Sequence, residues 1–400
     1  MNDKSIKSVL KYNLILAILA VSAQGLTLLQ RSIYLFDMGM KKDVYGYLLF
    51  FAAGFMFLFQ IIFGPWSDRG RNRKPKIIIF AAFMNLAGNF GFIITNNIVV
   101  LSAALMFSLI GFQAMFNMMR TLVASVSNKE NTSTNLAAFQ LVCAGAYATF
   151  SLAYGYIVEL LGFNTLFVCS TVLTLLSSVV SVVLYAKVQS ASIGAEDISE
   201  KISFVSSFKF APQVIIAFGL YLFVAIAQYG TFNYILHYFK TVGGTDDILA
   251  GWILAIAAFV EAPAMYYMGR YFKKYNKEKS IVIFLLIGTL RWILFAFVKD
   301  PVWYFPIHTL RILPIGVLFI GISSLIMDYV PARRAGAAMG LLGSLSSIGN
   351  AVGPAVMGNL VERVSIQTGM LVMGAVIAIP TIVFAVIYKH CETKPVQDLK

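Results

Sequence analysis

The chain has 400 residues, of which 59% are hydrophobic and only 12% are charged, and its mean hydropathy is +0.80. So small a share of charge excludes an ordinary water-soluble globular domain and indicates a membrane protein. The net charge of +13 would suit a nucleic-acid binder, but the cations concentrate in short segments between apolar runs. There they set membrane topology and contact lipid headgroups, so no nucleic-acid partner is expected.

Twelve apolar runs follow one another along the chain, each long enough to cross a hydrocarbon core of about 30 Å as a helix. The fold class predicted from them is an all-α membrane protein with twelve transmembrane helices in two six-helix bundles. The predicted spans are 11–36, 44–66, 77–97, 98–124, 137–159, 164–186, 210–238, 247–269, 280–298, 302–327, 336–360 and 366–388.

The basic residues between these spans are distributed unevenly. Segments on the side of the N-terminus carry 22 of them, and segments on the opposite side carry 5. By the positive-inside rule, both termini are predicted to be cytoplasmic in a plasma (inner) membrane. The first 25 residues resemble a signal peptide, but the apolar run continues to Phe36, which predicts an uncleaved first helix.

A long polar interval divides the chain into two halves of six spans. We predict an N-terminal bundle at 1–186, a cytoplasmic linker at 187–209, and a C-terminal bundle with a short cytoplasmic tail at 210–400. Gly269 and a cluster of lysines lie between spans eight and nine, 205 residues after Gly64, which precedes a similar cluster between spans two and three. This repeat in register indicates a duplication and a pseudo-two-fold arrangement.

The first of these clusters is the stretch GPWSDRGRNRKPK at residues 64–76. Gly64 permits the second span to approach a neighbour closely, and Asp68 at the membrane edge can meet a positively charged helix N-terminus or an arginine. Such a contact could hold the cytoplasmic ends of the helices together and break when those ends move apart. In the second copy Lys273 replaces the acid, so the prediction of a latch applies to Asp68.

The spacing of Gly64, Asp68 and Arg69 resembles the loop signature of the major facilitator superfamily. The superfamily consensus has Gly where this chain has Arg71. The resemblance implies a secondary transporter of two six-helix bundles, in which Asp68 latches onto the start of the eleventh helix, here residues 336–343. In that helix Pro354 allows a bend. The predicted gating residues are Gly64, Asp68, Arg69 and Pro354.

Ionisable residues within the predicted spans are costly and therefore candidates for function. Glu261 is the acid at mid-depth, two positions before Pro263, and Arg291 and Arg311 lie at a similar height. Desolvation favours the neutral carboxyl, whereas an adjacent guanidinium favours the carboxylate, so a moving partner can make Glu261 bind and release a proton. We predict Glu261, Arg291 and Arg311 as the proton-coupling residues; a static ion pair is the alternative.

Three short stretches resemble the sugar and galactoside proton symporter branch of the superfamily. They are Glu261 with Pro263, Leu290-Arg291-Trp292, and Leu310-Arg311 followed by Gly316. That branch uses an acid, an arginine and a histidine at such positions for substrate binding and proton coupling. Here Arg311 stands at the histidine position and His308 lies one turn away.

Polar residues at helical spacing predict a hydrated substrate cavity. Arginine would suit an anionic solute, although Arg31 and Arg120 could instead extend to the headgroups. The amides could equally hydrogen-bond between helices. The predicted substrate-binding residues are Gln24, Arg31, Gln113, Asn117, Arg120, Tyr221, Gln228 and Asn233.

The function predicted from these features is proton-coupled secondary transport of a small polar organic solute, anionic or sugar-like, by alternating access. The alternative is a proton-antiport exporter of drugs or metabolites. A membrane enzyme or receptor is a more remote alternative, because no nucleotide loop or nucleophile elbow is visible.

Lone histidines and dispersed cysteines predict no metal site. Expected partners are the solute, protons and membrane lipids; no cofactor is expected beyond the proton gradient, and the protein is expected to be a monomer.

Overall fold

The computed structural model of the protein describes residues 3–68, 73–127, 132–190, 210–330 and 335–388, which form helices and, within these ranges, no strand. The helices of the first half are α1 (Asp3–Thr27), α2 (Gln30–Asp37), α3 (Lys42–Asp68), α4 (Arg73–Ile94), α5 (Ile98–Val126) and α6 (Thr132–Ser190). Those of the second half are α7 (Pro212–Thr241), α8 (Asp247–Lys274), α9 (Lys277–Phe297), a 3₁₀ turn (Pro301–Trp303), α10 (Tyr304–Thr309), α11 (Ile312–Gly316), a π-helix (Val317–Gly321), α12 (Ile322–Tyr329), α13 (Ala335–Arg363) and α14 (Ile366–Ile387).

Membrane-spanning character is clear from length and apolarity. Ten segments of the described chain meet both criteria for crossing a bilayer, so the protein is a multi-pass membrane protein, as predicted. One of the ten is Ala138–Ser190, which belongs to α6, a helix of 59 residues with a sharp kink at Gly162, where φ is +79°. The kink lies between predicted spans 137–159 and 164–186. The helix α13 is not among the ten, and the total of twelve spans stays a prediction.

Helix starts follow the side chains available in the sequence. The Asn97 side chain accepts hydrogen bonds from the amides of Val99 and Val100 at the start of α5. Asn276 accepts from the amide of Lys279 at the start of α9, and Ser365 caps α14 in the same manner. These caps provide hydrogen-bond acceptors for amides that have no partner within the helix, and they therefore fix the residue at which each helix begins.

Two of the predicted spans are interrupted helices. Residues between α1 and α2 break the first span, where the Leu29 amide donates to Gln30 Oε1 at 3.1 Å and Ser32 Oγ donates to the Leu29 carbonyl at 2.6 Å. Side chains thus replace helical backbone partners. The tenth span is divided into α10, α11, the π-helix and α12, which hydropathy alone does not indicate.

Contacts between Cα atoms divide the chain into two compact units. The first unit consists of 1–40, 54–198 and 245–259, and the second consists of 41–53, 199–244 and 260–400. Of the predicted linker, 187–190 continue α6, and the remainder lies outside the described residues.

The core of the first unit is formed by α1, α4, α5 and α6. Leu16 of α1, Ile78 of α4, Met115 of α5 and Leu184 of α6 are fully buried in one cluster. The helices α4 and α5 approach closely at Gly111, where an added Cβ would lie 2.5 Å from the backbone nitrogen of Asn85. Small residues are what allow helices to pack at this distance in a membrane.

The second unit is built around α7, α13, α9 and α14. Gly353 of α13 faces α7 so closely that an added Cβ would lie 2.2 Å from the Ile226 carbonyl oxygen. Trp292 of α9 is fully buried and packs beside Gly374 of α14. These contacts hold α13 against α7 and α14 against α9.

Candidate functional site

An ion pair joins two membrane spans inside the second unit. Arg311 donates from Nε to Glu261 Oε2 at 3.0 Å, and its Nη2 donates to the same oxygen. The Glu261 side chain retains 23% of its accessible surface and the Arg311 side chain 10%. Of the two arginines that the sequence offered as partners, Arg311 makes this contact. The carboxylate is therefore paired but partly accessible.

Irregular backbone surrounds both members of the pair. Arg311 lies in the junction between α10 and α11, where its amide donates to the His308 carbonyl at 3.1 Å in a tightened, 3₁₀-like turn. Pro314 follows within α11, and the π-helix begins at Val317. On the other side, Pro263 lies inside α8. Broken or widened turns of this type recur at functional sites because they leave the helix deformable.

Arg291 belongs to the same cluster but has a different environment. Its guanidinium carbon lies 3.7 Å from the centre of the Trp292 ring, and the residue is only 3% exposed. Its Nε and Nη1 atoms make no hydrogen bond to any described residue. Arg291 is within electrostatic range of both Arg311 and Glu261. It therefore adds positive charge to the site without competing directly for the carboxylate.

His308 is the fourth ionisable member of this cluster. It is 1% exposed, packs edge-on against Phe239 with ring centres 5.4 Å apart, and its ring nitrogens have no hydrogen-bond partner among the described residues. His237, another of the chain's three histidines, lies in α7. Within the part of the chain that the structure describes, no three His, Cys, Asp or Glu residues are grouped so as to hold a metal ion.

Arg31 lies in a polar network of the first unit. It is fully buried, and its Nη2 donates to Asn89 Oδ1 at 2.8 Å. Ser170 Oγ donates to the same oxygen at 2.8 Å, and Asn89 Nδ2 donates to Asn85 Oδ1 at 3.0 Å. Sequence reasoning missed Asn85, Asn89 and Ser170, although two asparagines one helical turn apart in the apolar α4 were a signal. The network holds Arg31 away from solvent.

A polar face of α5 is accessible instead. Gln113 and Asn117 are half-buried and Arg120 is exposed, and Gln113 lies 3.5 Å from Asn117 in a weak side-chain contact. These three positions repeat along one face of the helix. Gln24, predicted to act with them, is 1% exposed, and its side-chain amide makes no hydrogen bond to a described residue. Among the predicted substrate-binding residues of the first unit, only the three on α5 are accessible.

The predicted residues of α7 lie deeper. Tyr221, Gln228 and Asn233 are at most 9% exposed, and Asn233 Nδ2 donates to the Tyr229 carbonyl of its own helix at 2.8 Å. Tyr229 of α7 and Ser346 of α13 are half-buried, and their hydroxyls lie 2.8 Å apart, which connects the two helices. Sequence reasoning missed this pair because nothing in the sequence relates positions so far apart.

Of the predicted gating residues, the structure describes Pro354 in detail. An added Cβ on Gly46 of α3 would lie 2.5 Å from the Pro354 carbonyl oxygen, so α3 and α13 are in backbone contact there. Gly64 and Asp68 lie in the last turns of α3, but the side chain of Asp68 lies outside the described residues, as does all of Arg69. The Asp68 latch therefore stays a prediction.

Comparison with known proteins agrees with this architecture. The family model of the Major Facilitator Superfamily matches residues 13–354 and 312–398. Sugar efflux transporter A of Escherichia coli (strain K12) is 29% identical over 119 residues, which is 30% of this chain and 30% of that protein. The match thus spans less than a third of that relative's length.

Solved structures of transporters share the fold over nearly the whole chain. A bacterial homologue of the human lysosomal transporter Spinster, inward-facing and unoccupied, covers 98% of both chains with TM-score 0.78 and 14% identity. An auto-inhibited POT family peptide transporter covers 98% of both with TM-score 0.77 and 10% identity. The nucleoside transporter NupG covers 97% of this chain and 100% of its own with TM-score 0.68 and 16% identity.

The fold and the family match define the class of the protein: it is a membrane transporter, not an enzyme. The chain belongs to the Major Facilitator Superfamily.

Proposed function

We propose that the protein is a secondary transporter that couples movement of a small polar organic solute to movement of a proton, with Glu261 as the proton carrier. The observation that carries this proposal is the Glu261–Arg311 ion pair within two candidate membrane spans. A carboxylate in such a place is retained at a cost in free energy, which function would explain.

The coupling follows from the charges of the cluster. When Glu261 is ionised, it neutralises Arg311; when it binds a proton, that guanidinium loses its counter-ion beside Arg291. The two nearby cations, Arg291 and Arg311, then favour either binding of a solute with acceptor oxygens or a change in backbone conformation that moves the two cations apart. The junction at Arg311 and the adjacent π-helix supply a segment able to change. Proton binding would in this way bias the protein between two conformations.

The polar face of α5 supports the choice of solute. Gln113, Asn117 and Arg120 present two amides and a guanidinium inside an otherwise apolar span, and such groups recognise hydroxyl, carbonyl and carboxylate oxygens. Sugar-like and anionic solutes both fit this chemistry. Arg31, Gln24, Tyr221, Gln228 and Asn233 stay candidates for a conformation in which their surroundings open.

The proposed arrangement in the membrane completes this mechanism. The twelve apolar runs support twelve spans, and the excess of cations on one side supports cytoplasmic termini in the inner membrane. Alternating access would proceed by rocking of six-helix bundles, 1–186 and 210–400, about the solute. The proposed transporter acts as a monomer and uses the proton gradient, without a cofactor.

Export is the second candidate function. The local similarity to a sugar efflux transporter favours it. In an exporter the same carboxylate would release its proton as the solute binds, so the two would move in opposite directions. The cluster at Glu261 is compatible with either direction.

The test is transport in proteoliposomes with an imposed pH gradient and a panel of sugars, nucleosides and organic acids. We expect the wild-type protein to accumulate or expel a solute in response to the gradient. Glu261→Gln should still equilibrate that solute but lose the response to the gradient. Glu159→Gln, an exposed carboxylate at the end of a predicted span, is the matched control. Identical gradient responses of wild type and Glu261→Gln would remove Glu261 as the carrier, and the sign of the response separates uptake from export.

A further inference from the structure

The last turns of α8 have a composition unlike that of the other described helix ends. The segment YYMGRYFKKYN at 266–276 contains four tyrosines and three cations, and no acid. All seven of these residues are exposed: Tyr266, Tyr267, Arg270, Tyr271, Lys273, Lys274 and Tyr275. We call this set the α8 patch.

The patch faces away from the protein. Met268 and Phe272, one turn apart, are buried; Met268 packs against Gly316 and Phe272 against Gly321. Tyr266, Arg270 and Lys274 repeat every four residues on the opposite side of the helix, so they form one outward line. The orientation of the patch is therefore fixed by packing of the inner face.

Aromatic rings and cations are already associated within the α8 patch. The Arg270 guanidinium carbon lies 4.5 Å from the centre of the Tyr266 ring, and Arg270 also donates a hydrogen bond to the Tyr266 hydroxyl. Lys274 Nζ lies 5.2 Å from the centre of the Tyr275 ring, whose centre is 4.6 Å from that of Tyr271. Stacking holds these cations near the helix without neutralising their charge.

No described carboxylate pairs with the three cations of the patch. The nearby Lys277 shows the contrast, because its Nζ contacts Asp328 Oδ1 at 2.7 Å and Oδ2 at 2.6 Å. Arg270, Lys273 and Lys274 have no ion-pair partner among the described residues. They form a concentrated positive charge that a ligand of opposite sign would neutralise.

The length of α8 places this charge at the membrane surface. Its 28 residues extend about 42 Å, whereas the hydrocarbon core is about 30 Å thick. The last turns therefore lie at the depth of the headgroups, where tyrosines concentrate and where cations attract anionic lipid. The geometry points to a binding site for an anionic phospholipid, whose phosphodiester contacts Arg270, Lys273 and Lys274 and whose glycerol region packs against the tyrosines.

The test is titration of the purified full-length protein in neutral detergent with phosphatidylglycerol or phosphatidylcholine, with bound lipid counted by native mass spectrometry. Each cation at an anionic surface is worth about a fivefold change in affinity. We expect Arg270→Gln/Lys273→Gln/Lys274→Gln to weaken the first phosphatidylglycerol bound by at least about tenfold. The control is Lys7→Gln/Lys11→Gln/Lys187→Gln, which removes the same charge from exposed positions predicted to lie on the same side and should leave this binding unchanged.

Several results would overturn the inference. One is equal affinity of the wild type and the triple α8 variant for phosphatidylglycerol; another is equal binding of phosphatidylcholine. Displacement of the lipid by excess inorganic phosphate would assign the patch to a soluble anion. If the triple variant does not fold, Lys273→Gln/Lys274→Gln, which keeps Arg270 stacked on Tyr266, provides the comparison, and unchanged affinity in that variant rejects the site.

Discussion

Tyr47 on α3 and Asn359 on α13 hydrogen-bond to each other in both directions, although 312 positions separate them in the sequence. The Asn359 amide Nδ2 lies 3.0 Å from the Tyr47 hydroxyl, and the hydroxyl donates to Asn359 Oδ1 at 3.2 Å. A second contact lies beside it, where the Lys42 amide donates to Glu362 Oε2 at 3.0 Å. The first residues of α3 are thus attached to the last turns of a helix from the opposite half of the sequence.

Tyr47→Phe tests whether this attachment opens during transport. An exposed hydrogen bond contributes about 0.5–1.5 kcal/mol, so we expect the variant to remain folded but to change the transport rate several-fold. Asn359→Leu should have a similar effect, and the double variant should add little to either. Transport rates of the four proteins form a double-mutant cycle. Tyr34→Phe is the control, because it removes a tyrosine–asparagine bond of the same 3.2 Å length, to Asn96. Equal effects of Tyr34→Phe and Tyr47→Phe would argue against a gating role.

The Glu261–Arg311 pair predicts a pattern of stability changes that can be measured separately from its proposed role in proton coupling. Breaking a buried pair by removing one partner costs about 3–5 kcal/mol; since Glu261 retains 23% of its surface, we expect about 1–3 kcal/mol. Glu261→Ala and Arg311→Ala should each lower the thermal unfolding midpoint in detergent more than Glu261→Gln/Arg311→Gln does. Glu362→Gln, which removes the looser 3.8 Å pair with Lys42, should have a small effect. A double variant less stable than both single variants would contradict the pairing.

Asn89 is expected to be structurally necessary in the first unit. It accepts hydrogen bonds from both Arg31 and Ser170 through one oxygen, and it is buried. Asn89→Ala removes that shared acceptor from a charged donor, at a cost of about 2–4 kcal/mol. The measurement is the yield of monodisperse protein together with its unfolding midpoint. Asn117→Ala, on the accessible face of α5, is the comparison and should cost less than about 1 kcal/mol. Similar losses from both substitutions would show that the network around Asn89 contributes no special stability.

Close packing of α7 on α13 predicts unequal effects of two alanine substitutions in one helix. A Cβ on Gly353 would meet the Ile226 carbonyl oxygen at 2.2 Å, whereas a Cβ on Gly340 would meet nothing within 4 Å. Gly353→Ala should force the backbones apart and lower stability by about 1–3 kcal/mol. Gly340→Ala should be neutral or stabilising, since alanine favours a helix by about 1 kcal/mol over glycine. Unfolding midpoints in one detergent compare the two, and a tolerated Gly353→Ala would place the helices further apart than described.

Much of the architecture could be predicted because the membrane imposes strong rules on sequence. Apolar runs of the required length located most helices, and the turn at Gly162 lies where two spans were separated. The break between α10 and α11 escaped prediction, because it depends on hydrogen bonds such as that from the Arg311 amide to the His308 carbonyl, which hydropathy does not represent.

The candidate site was predictable in part for a related reason. Charge in an apolar span is conspicuous, so Glu261, Arg291 and Arg311 stood out, but which arginine pairs with the acid depends on side-chain direction in three dimensions. Burial was equally hidden: Arg31 and Arg120 look alike in sequence, yet one is enclosed by Asn89 and its neighbours and the other is exposed. Neutral residues that organise a charge, such as Asn85 and Ser170, give little signal by themselves.

The π-helix at Val317–Gly321 accommodates one residue more than an α-helical turn, because the Ile322 amide donates to the carbonyl of Val317, five positions earlier. Such a turn is a single π-bulge in an otherwise α-helical segment, and turns of this kind recur at functional sites. Deleting Phe319, an exposed residue at its centre, would convert the π-helical turn to an α-helical turn. The side chains of Arg311 before it and of Leu325 after it would keep their directions. A shortened chain that still folds but no longer exchanges between its conformations would mark this extra residue as the origin of mobility in the tenth span.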